Sequence, residues 1–237
     1  MRKINWGARL FLLCLLLWAS FLFIFSNIYP VADVVREISN QKIIENKSRF
    51  LSLQQIPGAF QLAIIETEDR RFYSHFGIDP IGIVRSFFVD VQGDQLREGG
   101  STITQQLIRN TILGPEKTFT RKIKEVVLSV ALDSFMSKQE ILDLYLNIIY
   151  FGHGAYGAGQ AAQVYFGKSL SALSLPEWSL LAGLPNEPYN LDPYSFMNRA
   201  KERQKEVLQH LVDAHYISQQ EADAAYQQKL VLKHSKA

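Results

Sequence analysis

Cysteine is almost absent from this chain: the only one, Cys14, lies inside an apolar run near the N-terminus. The rest of the chain has no thiol, so disulfides do not hold it together. Charge is missing altogether between Arg9 and Asp33, where the sequence reads RLFLLCLLLWASFLFIFSNIYPVAD. About 20 such residues suffice to cross a bilayer as a helix. An Ala-x-Ala-like cleavage site is lacking after the run, which argues against a cleaved leader. There is no internal repeat, low-complexity segment or long Pro/Gly/Ser linker, and β-rich stretches with turn punctuation are scarce. The chain has 237 residues, enough for one sizeable domain plus an appendage.

The charge that is present is unevenly placed. Arg2, Lys3 and Arg9 precede the apolar run, and no Lys or Arg follows until Arg36. The positive-inside rule then predicts residues 1–9 in the cytoplasm, a membrane anchor at 10–30, and residues 31–237 outside. Taking those three bases from the total of 25 leaves 22 basic against 23 acidic residues. A balance near neutrality argues against nucleic acid as a partner. Within the stretch from Arg97 to Glu125, however, Arg97, Arg109, Lys117, Arg121, Lys122 and Lys124 face only Glu98, Glu116 and Glu125. This local basic strip calls for an anionic ligand or surface.

The outer part reads as successive helices from about residue 45 to 225. Capping boxes, in which a hydroxyl and a side chain three residues on satisfy free backbone donors, are expected at Thr102–Gln105, Ser137–Glu140, Ser174–Glu177 and Ser218–Glu221. Asp79-Pro80 is a cap followed by proline at the first helical position. Ile141, Leu144, Tyr145 and Ile148 recur at helical spacing, as do Ile123, Val126, Val127 and Val130. The tail YQQKLVLKHSKA is polar and basic, and reads as a frayed end or a docking segment.

Three acids crowd the segment LAIIETEDRRFYSHFGID. On a continuous helix Glu66 faces Arg70, giving a solvated i,i+4 ion pair. Asp69 faces Ile65, Phe72 and Tyr73, which suits a structural hydrogen bond. Glu68 faces Ile64 and Phe72, with His75 a turn further on. A carboxylate against apolar groups loses hydration, and its pKa rises toward that of a usable proton acceptor. A second acid, Glu125, stands between a basic turn and an apolar helix; its options are an i,i+4 pair with Arg121, or management of an anionic leaving group or a metal ion. Between them, EGGSTITQQLIRN offers two glycines for close backbone approach, Ser101 or Thr102 as the cap of the next helix, and then Gln105, Gln106 and Arg109. A helix N-terminus with hydroxyls, amides and a cation suits a phosphate or a sugar.

Taken together, these segments closely resemble the family 51 peptidoglycan glycosyltransferases, over roughly residues 50 to 225. One motif of that family is matched by Glu68, Asp69, Phe72, His75 and Gly77; a second, Gly-Gly-Ser-Thr-Ile-Thr-Gln-Gln, by Gly99, Gly100 and onward through Ser101, Thr102, Gln105 and Gln106. A third is matched by Arg121, Lys122 and Glu125, and a fourth by Glu140 to Asn147. The segments YFGHGAYGAGQAAQVYFGK and LSLPEWSLLAGLPNEPYNLDP are also similar to the family's C-terminal half. Arg109 stands where the family usually has lysine, and Lys117 where it often has arginine.

The resemblance implies a mainly α, lysozyme-like domain with a small membrane-proximal jaw. It implies that lipid II, a disaccharide-pentapeptide on undecaprenyl pyrophosphate, is joined into β-1,4 glycan strands with inversion. In that scheme Glu68 deprotonates the acceptor 4-hydroxyl. Glu125, with Arg121 and Lys122, handles the donor pyrophosphate directly or through a divalent cation (Mg2+ or Mn2+), and no cofactor is obligatory. Ser101, Gln105, Gln106, Arg109 and Lys117 line the donor site, with the cations solvated before ligand binds. The implied location is the bacterial cytoplasmic (inner) membrane, single-pass, with the catalytic domain periplasmic or extracellular. Expected partners are the growing glycan, the membrane, and other wall-synthesis and division proteins. Two rival readings stay open on the residues alone: a lysozyme-type lytic enzyme, which would also use two carboxylates, and a non-catalytic membrane-anchored adaptor.

Overall fold

Helical periodicity dominates the sequence, and the computed structural model, which describes residues 6–28, 30–82, 100–116, 118–185 and 187–233, is helical almost throughout, with no strands among them. In chain order the helices are α1 (Trp6–Ile28), α2 (Val31–Glu45), α3 (Gly58–Glu68), α4 (Ile103–Thr111), α5 (Phe119–Phe135) and α6 (Lys138–Ile148). They continue with α7 (Ala158–Phe166), α8 (Leu175–Ala182), α9 (Pro193–Asp213) and α10 (Gln219–Gln227). Two single 3-10 turns, Phe72–Ser74 and Leu170–Ala172, complete the set.

One core holds the body together. Phe60, Phe72, Tyr145, Phe151 and Tyr165 are fully buried in it, together with Ile64, Ile103, Leu107 and Leu132. Burying each large apolar side chain contributes about 1.5–3 kcal/mol before chain entropy is set against it. Helix α3 packs on α8 and α9, α4 packs on α5 and α6, and α2 lies across α5 and α6.

Several boundaries differ from the sequence reading. The folded body begins at Val31, not near 45: Val31, Ala32, Val35 and Ile43 of α2 are core residues. Of the two readings of the tail, docking holds as far as Lys233: Leu232 is buried and Lys233 N–H donates to Tyr165 O at 2.8 Å. Three of the four capping boxes close as expected, at Thr102, Ser174 and Ser218. At Ser137 the hydroxyl caps the backbone, but the Glu140 carboxylate turns to Arg36 of α2 (2.6 and 3.1 Å), which ties that helix to α6. On α5 the expected apolar stripe holds only in part. Val130 is buried and Val126 and Val127 are half-buried, but Ile123 is exposed, and the other buried positions are Glu125, Ser129, Ala131 and Leu132.

Helix α1 covers most of the expected anchor, and its side chains at 11–20 are exposed and mostly apolar. Among the described residues, no helix is long and apolar enough to cross a membrane; the described side chains of α1, at Trp6, 11–20 and Leu22, make too short a run. The structure therefore does not establish the anchor. Gly99 and Lys117 of the expected site lie outside the described residues, as does the stretch expected to begin the basic strip.

Candidate active site

The helix carrying the three acids stops at Glu68. Asp69 takes φ −161° and ψ 68°, and the chain enters a 3-10 turn at Phe72. This break corrects the reading of one helix running to His75, and it separates the acids. Glu66 does pair with Arg70 at 3.2 Å, but its side chain is only 14% exposed, so the pair is half-buried rather than solvated. Burial pushes the Glu66 carboxyl upward, against the pull of Arg70.

Asp69 is a local hub. Both its oxygens lie against His75 Nε2 (2.9 and 3.0 Å), and Oδ2 also accepts the N–H of Ile103 at 3.0 Å. Ile103 is the first residue of α4, so a carboxylate sits on that helix's N-terminal dipole. Thr102 is the cap that the sequence left undecided against Ser101, and its hydroxyl also donates to Gly77 O at 2.6 Å. Gly77 itself has φ +70°, and a Cβ there would lie 2.2 Å from the Ser129 carbonyl oxygen. Its N–H donates to Asp133 Oδ2 at 2.6 Å. Phe72 is fully buried beneath Lys138, whose ammonium stands 4.7 Å over the ring. Asn147 brackets Leu51 with two bonds of 2.8 Å and so fixes the loop before α3.

Glu68 points elsewhere, into a site built by α4, α6 and α9. Its side chain is 5% exposed. Gln106 Nε2 donates to Oε2 at 2.8 Å, and Gln106 Oε1 accepts from the buried Tyr145 hydroxyl at 3.0 Å. That second bond fixes which way the amide faces. Arg203 Nη2 stands 3.9 Å from Oε1, which accepts no hydrogen bond from the described residues. Burial holds the Glu68 carboxyl above the ordinary range, opposed first by Arg203, then by the Gln106 bond and Arg109. Burial likewise pushes the Tyr145 phenol well up, so it remains a donor. The apolar surroundings inferred for Glu68 are thus largely replaced by a set of positive and polar partners. Desolvation, the physical cause inferred, is retained.

Glu125 lies in the opposite environment. Its side chain is fully buried, with Arg121 Nη1 on Oε2 and Lys122 Nζ 2.5 Å from Oε1. Lys122 also reaches Ser101 Oγ at 3.0 Å. Arg121 is 15% exposed, so it is not the solvated cation expected before ligand binds. Gln105, expected to touch substrate, is fully buried and spends its side-chain oxygen on the N–H of Thr102 at 2.9 Å. Gly100 is exposed at the entry to α4. Among the described residues no group of three or more His, Cys, Asp or Glu could hold a metal ion. Both oxygens of Glu125 are engaged by side-chain cations, Oε2 by Arg121 and Oε1 by Lys122.

Arg203, Glu206, Tyr145 and Asp133 were missed as site residues. Tyr145 reads as one more position of an apolar stripe. Arg203 sits in NRAKERQKEVL, which looks like a solvated helix face; its i,i+3 spacing to Glu206 suggests only a surface pair.

The helical body thus holds one desolvated, half-partnered carboxylate, Glu68, and a second, Glu125, clamped by two cations. The transglycosylase family description matches residues 34–212. Penicillin-binding protein 1A of Escherichia coli is 49% identical over 173 residues, 73% of this chain and 20% of that protein. A protein of Cupriavidus necator, provisionally named a transglycosylase, is 44% identical over 184 residues, 78% of this chain and 79% of its own length. A crystal structure of penicillin-binding protein 1A from Haemophilus influenzae superposes with a TM-score of 0.48 at 28% identity, over 78% of this chain and 18% of that one. The chain spans about a fifth to a quarter of the penicillin-binding protein 1A relatives it matches. It belongs to the transglycosylase family, the peptidoglycan glycosyltransferases of family 51.

Proposed function

We propose that this enzyme polymerises lipid II into β-1,4-linked glycan strands by a single inverting displacement, releasing undecaprenyl pyrophosphate. The observation that carries this reading is the contrast between its two buried acids. Glu68 has a free, desolvated oxygen, the state of a general base able to take the proton of an acceptor 4-hydroxyl. Glu125 holds Arg121 and Lys122 in place without neutralising both, leaving net positive charge beside Ser101. A departing pyrophosphate needs charge compensation more than it needs a proton, and fixed cations in a dry site supply it. In this reading the chain's own cations do the work that a divalent ion could otherwise do near Glu125. Arg109, whose charge also favours ionised Glu68, adds a further cation on the donor side in this reading. A lysozyme-type hydrolase has no use for such a clamp, because a finished glycan backbone is neutral.

The substrate's lipid tail places this chemistry at a membrane. We read residues 10–30 as a single-pass anchor with the N-terminus inside and the domain on the outer face of the bacterial cytoplasmic membrane. Support comes from the exposed apolar side chains of α1 and from Tyr73, Phe76, Ile81, Phe119 and Ile123, which are also exposed. Trp18 of α1 shares an apolar cavity with Phe76, Ile78, Ile81 and Val130. A lysozyme-like arrangement with a jaw, and other wall-synthesis proteins as partners, belong to the same proposal. The test is incubation of the full chain in detergent or vesicles with lipid II, and separately with finished murein. Glycan polymer from the first and nothing soluble from the second is the expected result. Soluble muropeptides from murein, with no polymer from lipid II, would overturn it.

A further inference from the structure

The two oxygens of Glu68 are not equivalent. Oε2 accepts from Gln106, and the amide behind it is fixed by Tyr145. Oε1 is buried and accepts nothing from the described residues, while Arg203 Nη2 stands 3.9 Å away, too far to bond and close enough for its charge to act. Arg203 is itself held: its side chain is 12% exposed, and Nη1 donates to Glu206 Oε2 at 2.5 Å. Its stem runs over Gly183, where a Cβ would lie 2.8 Å from the arginine Cγ. The path of the guanidinium is therefore built, by a glycine on one side and an acid on the other.

Resting on the reading of Glu68 as the base, we propose that Oε1 is the atom that takes the acceptor proton, and that Arg203, set by Glu206, is the positioning residue that keeps Glu68 ionised for it. A cation bonded to Oε1 would compete with the hydroxyl for that oxygen and lower its basicity. One held just outside bonding distance favours the carboxylate without itself bonding Oε1. In the step itself the acceptor O4–H bond breaks and its proton passes to Oε1. The electron pair left on O4 forms the new C1–O4 bond, and the C1–O bond to pyrophosphate breaks with its pair leaving on the phosphate oxygen. Other groups facing Glu68 are Arg109 from α4, the neutral Tyr145 phenol from α6, and Asp69 next along the chain. Arg203 is the largest of the influences that favour the ionised form.

The test is the pH dependence of lipid II polymerisation by the full chain. Activity needs ionised Glu68, so the rate climbs as pH rises through its pKa. Arg203→Met removes the nearby cation and is expected to move that acid limb up by about one to two pH units. The loss is then about ten- to a hundredfold below the limb and small on the alkaline plateau. Arg203→Lys should return the limb most of the way. Glu206→Gln removes the acid that offsets Arg203 and should move the limb in the opposite direction, to lower pH. A role in folding alone predicts equal loss at every pH and no recovery with lysine, and that outcome would refute the proposal. Should Arg203→Met not fold, the Glu206→Gln limb decides: a downward shift supports the proposal and an unmoved limb overturns it. Glu68→Gln run alongside separates the two layers, because full activity there removes the base itself rather than its positioning residue.

Discussion

Glu68→Gln is the most informative single change, because activity and stability should move apart. The amide keeps an acceptor for Gln106 and loses the ability to take a proton. Loss of a general base typically costs about 10²–10⁴ in rate, which is about 3–5 kcal/mol of barrier. Stability follows from burial. The folded-state carboxyl is raised above its ordinary value, chiefly by desolvation. The native state then binds its proton more tightly than the unfolded chain does. Stability therefore falls as pH rises from the ordinary glutamate range through the folded pKa, and stays lower above it. At pH 7 the wild type carries that penalty and the amide does not. Initial polymerisation rates and thermal melts at pH 7 and near pH 4 test both halves. The variant should be nearly inactive, no less stable than wild type at pH 7, and should lose any advantage at acid pH. Activity within a few-fold of wild type would refute the assignment of the base. A melting point several degrees lower at pH 7 would refute the argument from desolvation.

Arg121→Ala leaves the fully buried Glu125 with Lys122 as its one remaining cation; breaking a buried pair costs about 3 kcal/mol or more, so the melting point should fall by about 6–12 °C, and an unchanged melt would contradict the clamp. A pyrophosphate-bearing lipid mimic should protect the wild type against heat more than it protects this variant. Tyr145→Phe strands the side-chain oxygen of Gln106 at a cost of about 1–3 kcal/mol; it should lower both the melting point and the polymerisation rate, and a rate equal to wild type would show that the amide needs no second anchor.

How much of this could be read from the sequence depended on where each restraint was written. Helices α6 and α4 were legible because period and cap lie within one segment: Ile141, Leu144, Tyr145 and Ile148 mark a buried face, and Thr102 with Gln105 marks a start. The two buried acids of the proposed site were also legible as candidates, since Glu68 and Glu125 sit in motif-like surroundings. What failed was continuity and facing. Nothing local announces that α3 ends at Glu68, because Asp69 leaves the helix to reach His75 and the first N–H of α4, an element 34 residues away. Likewise Glu125 lies on the buried face of α5, where Arg121 and Lys122 pair with it; hydropathy alone turns Ile123 inward. Arg203 was illegible for a related reason. A buried arginine and a solvated one have the same letter and the same i,i+3 acid, and only the approach of α9 to α3 separates them.

The short segment from Ser101 to Gln106 links two acids 57 positions apart in the chain, as the proposed reaction requires. Ser101 Oγ meets Lys122, which holds Glu125. Thr102 caps α4 and bonds Gly77, which in turn is pinned to Asp133. The Ile103 N–H holds Asp69, the residue directly after Glu68. Gln106 holds Glu68 itself. One helical turn and its cap therefore set the positions of both carboxylates, and the fully buried Gln105 keeps that turn closed instead of touching substrate. Each member of the segment is tied to a different element, so displacing one shifts the base and the cation clamp together. Such coupling suits an inverting displacement, in which deprotonation of the acceptor and departure of the pyrophosphate must be aligned across a single sugar carbon.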